Sequence, residues 1–237
     1  MPERTSLPAQ HRVPLSRDRA LTAAVAVADV EGLGSLTMRR LARELGVEAM
    51  SLYHHVANKD DILDGMVELV FQEIELPSVE DDWMHAMQVR AVSVRTTLKR
   101  HPWAISIMQS RSAPGPAALG DLDALIGSCR RAGFSVEMAA HAVSLIDSYV
   151  YGFVLQEVNL PAAETGGVEG VVESVLPTVE RDYPHLAELT MEYVMQPGYS
   201  YGDEFDYGIG LVLDGLRAAA ARASGRGSAT TWPCSLR

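Results

Sequence analysis

LTMRRLARELGVEAMSLYHHVANK, residues 36–59, decides how the rest of this chain is read. Met38, Leu41, Ala42 and Leu45 fall at i, i+3, i+4 and i+7, which places one apolar stripe on a short helix. Thr37 stands where an N-cap belongs, and Gly46 where a left-handed stop belongs. Val47 and Glu48 lead into a second helix, on which Leu52 and Val56 are four residues apart and share a buried side. Ala49, Met50, Tyr53 and His54 then point outward. A short helix held by its neighbours and presenting small, aromatic and polar side chains has the layout of a DNA-reading helix.

The flanks extend the pattern. Residues 16–31 form a preceding helix with Leu21, Ala24, Val25 and Ala28 as its stripe and Gly32 as its stop. Asn58 caps a following helix, with Asp61 at the capping-box position and Ile62, Met66, Leu69 and Val70 on the inner side. The expected unit is a three-helix, helix-turn-helix DNA-binding domain over residues 16–77, preceded by a flexible tail at 1–15. Here the chain resembles the TetR (tetracycline-repressor-like) family of regulators. LTMRRLARELGV and SLYHHVANKDDILDGM carry the resemblance, with Arg39, Arg40, Leu45-Gly46-Val47, Leu52-Tyr53, His55 and Asn58-Lys59 matching in type and spacing.

Composition fits such a protein. The 237 residues are 47% hydrophobic, enough for a sizeable core, and no stretch reaches 18 uninterrupted apolar residues. The N-terminus, MPERTSLPAQHRVPLS, has no apolar signal region, and the two cysteines, Cys129 and Cys234, make a disulfide framework improbable; a cytoplasmic protein without membrane attachment is expected. The net charge of −11 is unevenly placed. Through Lys59 there are eight Lys and Arg against six Asp and Glu, whereas twelve stand against twenty-five in the remainder. The positive surplus therefore lies where phosphates would be met, and the acidic remainder repels DNA and orients the molecule. So modest a surplus makes a dimer almost a requirement for useful affinity.

The second part, residues 78–222, reads as all-helical, and the whole chain therefore as all-α. Helices are expected at about 80–100, after a break at His101-Pro102 to about 110, at 117–131, at 135–160 and from Phe205 to about 222, with a Gly-rich loop ETGGVEG and irregular helical stretches before the last. The 135–160 and 203–222 helices are apolar on more than one side, and the second side is most simply covered by a partner subunit, with Phe153 and Val212 on the shared faces and Gly208, Gly210 and Gly215 permitting close approach. The tail at 223–237 is expected to be disordered. CRRAGFSVEMAAHAVSLIDSYVYGFVLQE and DEFDYGIGLVLDGLRA resemble the core of the tetracycline-repressor-type subset. That resemblance implies a ligand-binding and dimerisation domain: a homodimer closed by a four-helix bundle around a small-molecule cavity, in which the effector alters the spacing of the DNA-reading heads.

Site residues follow from the same likeness. Arg39 matches a base-reading position and can bond a guanine through O6 and N7. Ala49 and Met50 match base-facing positions suited to thymine methyls, while Tyr53, His55 and Lys59 match phosphate contacts. Thr37, Arg40, Ser51 and His54 complete the DNA-facing set. For the effector, an apolar cavity lined by Met84, Met87, Trp103, Met108, Tyr149 and Phe153 is expected to take a hydrophobic or aromatic molecule. No metal or cofactor is expected. In the likeness, the positions that would hold a magnesium–tetracycline complex fall on Met108, Gln156 and Glu75, and a thioether and an amide suit a hard cation poorly.

Rival chemistry is thin. The chain has no GxSxG, HExxH, CxxC, GxGxxG or P-loop pattern, and His85, His101, His141 and His185 are scattered. The competing reading is a helical carrier or enzyme that uses the cavity, with the helix-turn-helix degenerate. The capping residues, Arg39, Lys59 and the charge division favour a DNA-binding regulator.

Overall fold

A computed structural model describes residues 14–78, 82–110, 113–161 and 167–225. The expected N-terminal tail up to residue 13, the first part of the Gly-rich loop and the stretch from 226 onward, with Trp232 and Cys234, lie outside the described residues. All regular structure among the described residues is helical. The chain divides into two compact units, Met1–Leu69 and Val70–Arg237.

In the first unit, α1 (Arg17–Glu31) is capped by the Ser16 hydroxyl, which accepts from the Arg19 amide at 3.2 Å. A 3₁₀ turn (Leu33–Ser35) leads to α2 (Met38–Leu45), capped in the same way by Thr37, whose hydroxyl accepts from the Arg40 amide at 3.1 Å. Gly46 closes α2 at φ 67°, ψ 36°, the left-handed geometry that spares a Cβ penalty, and the Val47 amide returns to the Ala42 carbonyl at 3.0 Å. The next helix, α3, is shorter than the sequence suggests: only Ala49–Leu52 is α-helical. Over Tyr53, His54 and His55 the amides bond three residues back, to Met50, Ser51 and Leu52, so the helix tightens before the chain turns. Leu52 and Val56 are both buried, as their spacing required. The following helix, α4 (Lys59–Gln72), crosses the division between the units. Asn58 Oδ1 accepts from the Asp61 amide, and Asp61 accepts both the Ala57 amide and the Arg17 guanidinium, tying α1 to the start of α4.

In the second unit, α5 (Trp83–Arg100) packs against α6 (Trp103–Ser110), α7 (Pro116–Arg131), α8 (Val136–Glu157) and α11 (Asp203–Gly225). Between α8 and α11 lie α9 (Gly167–Asp182), α10 (Pro184–Leu189) and a π-helical turn (Thr190–Val194). The end of the expected Gly-rich loop is thus already helical. The last helix likewise runs three residues past its expected end, since Ala218 to Ala221 and Ala223 are strong helix formers. By length and composition α8 would suit a membrane span, but Ala139, Ala142, Ile146, Val150 and Val154 are buried by the chain itself, which is the pattern of a core helix.

Phe153, expected on a partner-facing surface, is buried by its own chain, and Gly208 lies against α8 of the same chain. Phe153 is only 8% exposed and touches Phe205 edge-on, their centroids 5.2 Å apart. A Cβ added at Gly208 would overlap the Tyr149 ring, and the Tyr149 hydroxyl donates to the carbonyls of Glu204 and Phe205 at the start of α11. The missing side chain lets α11 lie against α8 within one chain. Space beside Gly210 and Gly215 is open.

Candidate functional site

The helix-turn-helix presents the expected residues outward. Burying Leu41, Ala42, Leu52 and Val56 turns the opposite sides of α2 and α3 to solvent; Arg39 is exposed on α2, His54 and His55 in the turn after α3, and Lys59 at the start of α4. Met50 is 73% exposed, unusual for a thioether with apolar neighbours available, and Tyr53 is 46% exposed. Ala49 and Ser51 are half-buried beside them, and Thr37 is exposed while its hydroxyl caps α2. Arg40 differs from Arg39. Its guanidinium donates to both Glu31 oxygens, the shortest contact 2.6 Å, and to Glu44 at 2.9 Å. The hydrogen bonds from Arg40 hold the Glu31 carboxyl below the usual range, and those carboxylates in turn raise the arginine further above its own. Arg40 therefore braces α2 against the end of α1, and its fork is engaged before any phosphate arrives.

The six expected ligand-lining residues lie on three helices of the second unit, α5, α6 and α8. Met87 and Trp103 are buried, and Met84 and Met108 half-buried, on α5 and α6. Tyr149 and Phe153 lie 5.9 Å apart in an aromatic group with Phe205 and Tyr201. A groove of about 480 Å³ on another side of α5 is lined by Glu73, Glu75, His85, Gln88 and Arg100 among others, and by none of the six.

Two charged assemblies went unread in the sequence. Arg90 is almost fully buried on α5, donates to both oxygens of Asp121 on α7 at 2.8 and 2.5 Å, and reaches Asp147 on α8 at 3.1 Å. Burial opposes the arginine's charge, but its hydrogen bonds to Asp121 and the charges of both aspartates outweigh it and hold the group firmly protonated. Burial pushes the Asp147 carboxyl up against the pull of Arg90, and also raises the neighbouring Tyr151 hydroxyl. A signal existed: Arg90 falls on the apolar stripe of Met87, Ala91, Val94 and Leu98, where a charge demands a partner. The second assembly joins Arg95 and Lys99 on α5 to Glu157 on α8. Arg95 donates twice to Glu157, at 2.8 and 2.6 Å, and its guanidinium stacks over Phe205 at 4.7 Å and Phe153 at 5.3 Å. Among the described residues no cluster of three His, Cys, Asp or Glu is arranged to hold a metal ion.

Comparison with known proteins agrees with this architecture. Residues 20–66 match the family model described as bacterial regulatory proteins, tetR family, and residues 76–220 match the tetracyclin repressor-like C-terminal domain. The chain is 34% identical over 221 residues to the HTH-type transcriptional repressor DrrR1 of Streptomyces coeruleorubidus, covering 89% of this chain and 80% of that protein. It is 28% identical over 205 residues to the class C tetracycline repressor protein of Escherichia coli, covering 85% and 90% of the two. Among solved structures, the Streptomyces coelicolor TetR family protein ActR in complex with actinorhodin superposes with a TM-score of 0.70 at 27% identity, over 88% of this chain and 99% of that one. With both halves matched, the chain belongs to the TetR family of DNA-binding transcriptional regulators.

Proposed function

We propose that this protein is a homodimeric repressor that holds a two-fold operator and releases it when an aromatic or hydrophobic small molecule enters the second unit. The observation that carries the DNA half is the outward display of Arg39, Met50, Tyr53, His55 and Lys59 around a buried Leu52–Val56 pair. In this reading Arg39, Ala49 and Met50 address base edges, while Thr37, Ser51, Tyr53, His54, His55 and Lys59 position the backbone. Arg40 acts chiefly by orienting α2. Two helix-turn-helix heads then read half-sites about one helical turn apart, roughly 34–36 Å, or a multiple of it.

The dimer reading rests on apolar side chains left in solvent. Leu145 and Leu155 stand out from α8, and Tyr207 and Leu211 from α11, beside the open glycines Gly152, Gly210 and Gly215. Exposed leucines in such numbers on two adjacent helices suit a helix-to-helix contact with a second copy. An organic effector is supported by the aromatic group around Phe153 and by the repressor and ActR likenesses. A metal-free one is supported by Met108 and Gln156 at the positions where the tetracycline-type likeness would require ligands for magnesium. A gel-shift with the DNA flanking the protein's own gene tests the proposal. Retarded two-fold DNA that is released by added aromatic compounds supports it, and failure to retard any segment of that DNA would sink it.

A further inference from the structure

Between the π-helical turn and α11 the chain covers residues 195–202 without an α-helix. Gly198 turns it at φ +91°, and at Gly202 an added Cβ would come within 2.8 Å of Arg95 Nη2, so the backbone passes directly over that guanidinium. This route delivers Tyr201 onto Phe153. The two rings are stacked, with centroids 4.9 Å apart and planes 24° from parallel. Among the described ring partners of Phe153, Tyr149 and Phe205 come from packed helices, and only Tyr201 comes from a non-helical segment. The surroundings are firmly built: Arg95 lies over Phe153 and Phe205 and is clamped by Glu157, which also accepts from Lys99 at 2.7 Å. By contrast, the Tyr201 side chain is held through a stack and a neutral hydrogen bond, donated by its hydroxyl to Gln156 Oε1 at 3.0 Å.

A fixed aromatic face with a half-exposed phenol laid on it by a loop is the arrangement that a flat ligand would reproduce. We infer that the Phe153 face, with Gln156 at its edge, is a binding face for planar hydroxylated aromatic molecules, and that Tyr201 is an internal stand-in on a lid, residues 195–202, which such a ligand displaces. The Gln156 amide can accept from a hydroxyl or donate to a carbonyl oxygen, so it reads a polar ring edge of either kind. Arg95 keeps its place over Phe153 when the lid lifts, because Glu157 holds it from α8 and not from the loop. This inference rests on the effector-binding reading above and names the chemistry of that site.

Fluorescence titration with 2-naphthol, a two-ring extension of the tyrosine phenol, tests it on the full chain. A stand-in that covers the face about nine-tenths of the time weakens the apparent affinity of a competitor about tenfold. Tyr201→Ala should therefore bind 2-naphthol about tenfold more tightly than the unaltered protein. Tyr201→Phe keeps the stack but loses the bond to Gln156, and should fall between the two. Tyr199→Ala removes a ring from the same segment, paired with Tyr193 and not with Phe153, and should match the unaltered protein. Thermal melts would show that each variant is folded, and Tyr201→Phe keeps the test decisive if the alanine variant is not. Equal affinities across the series, or an equal gain in Tyr199→Ala, would overturn the inference. Because the titration reads binding alone, graded affinities without operator release would leave the lid standing and remove only the effector reading.

Discussion

Arg39 and Lys59 both offer a positive charge at the DNA-reading end, but their losses should look different. Arg39 is exposed and makes no ion pair among the described residues, leaving its fork available for a guanine edge. Arg39→Ala should weaken operator binding by about 1–3 kcal/mol and relax preference at one base pair per half-site. Lys59→Ala should weaken all sequences alike and reduce the slope of log affinity against log salt by about one. Competition titrations at several salt concentrations separate the two, and unchanged discrimination in Arg39→Ala would show that α2 is misplaced on the groove. Acid exposes a different residue. The hydrogen bond from Arg95 holds the Glu157 carboxyl below its usual range, assisted by Lys99. A lowered folded pKa stabilises at pH values above the unfolded pKa of about 4.3, and this contribution fades as pH falls through the folded value. Melting temperature should thus drop below about pH 5, and Glu157→Gln should melt lower at neutral pH with a flatter acid limb.

At the scale of elements, the contact of α8 with α11 depends on a residue with no side chain. Gly208→Ala forces a methyl into the Tyr149 ring. Relieving the overlap breaks the bonds from the Tyr149 hydroxyl to Glu204 and Phe205, and should cost about 1–3 kcal/mol by denaturant titration. Alanine at Gly210, where space is open, should be neutral or slightly stabilising. This contrast explains what the sequence could tell. Thr37, Gly46 and Asn58 announced their helix ends because a cap is decided within four residues. The outward set on α3 was legible for the same reason, once Leu52 and Val56 fixed the inner side. Phe153 was misplaced because a helix apolar all round does not say which side its own chain covers. Arg90 finds Asp121 and Asp147 across 31 and 57 residues, and no local pattern encodes such pairings. Tyr201 was likewise silent, being 45 residues from the amide it bonds.

The molecule as a whole divides its charge between its ends in sequence, with the positive surplus before Asp60 and a large negative excess after it. A single head would bind phosphates weakly, so the proposed second copy decides whether the protein works at physiological salt. Leu145 is 52% and Leu211 57% exposed, and these are the positions at which to break the pair. Leu211→Glu, and Leu145→Glu independently, should give a one-chain mass by light scattering at micromolar concentration, with an unchanged helical spectrum and much weaker operator binding. A one-chain mass for the unaltered protein under the same conditions would refute the two-head arrangement. The same change at Phe153 tests something else, since a carboxylate there would unfold the subunit.

The Arg90–Asp121–Asp147 strut also constrains how this sequence can drift over generations. Removing Arg90 or Asp121 strands a buried charge at a cost of about 3–5 kcal/mol, whereas exchanging all three residues for well-packed apolar ones is often neutral or better. Wild type and triple replacement are thus two habitable points with a deep valley between them, and a single step at Arg90 or Asp121 leads downhill. Descendants should inherit the three residues together or lose them together, so the strut marks lineages in a way that the exposed leucines of α8 and α11 do not.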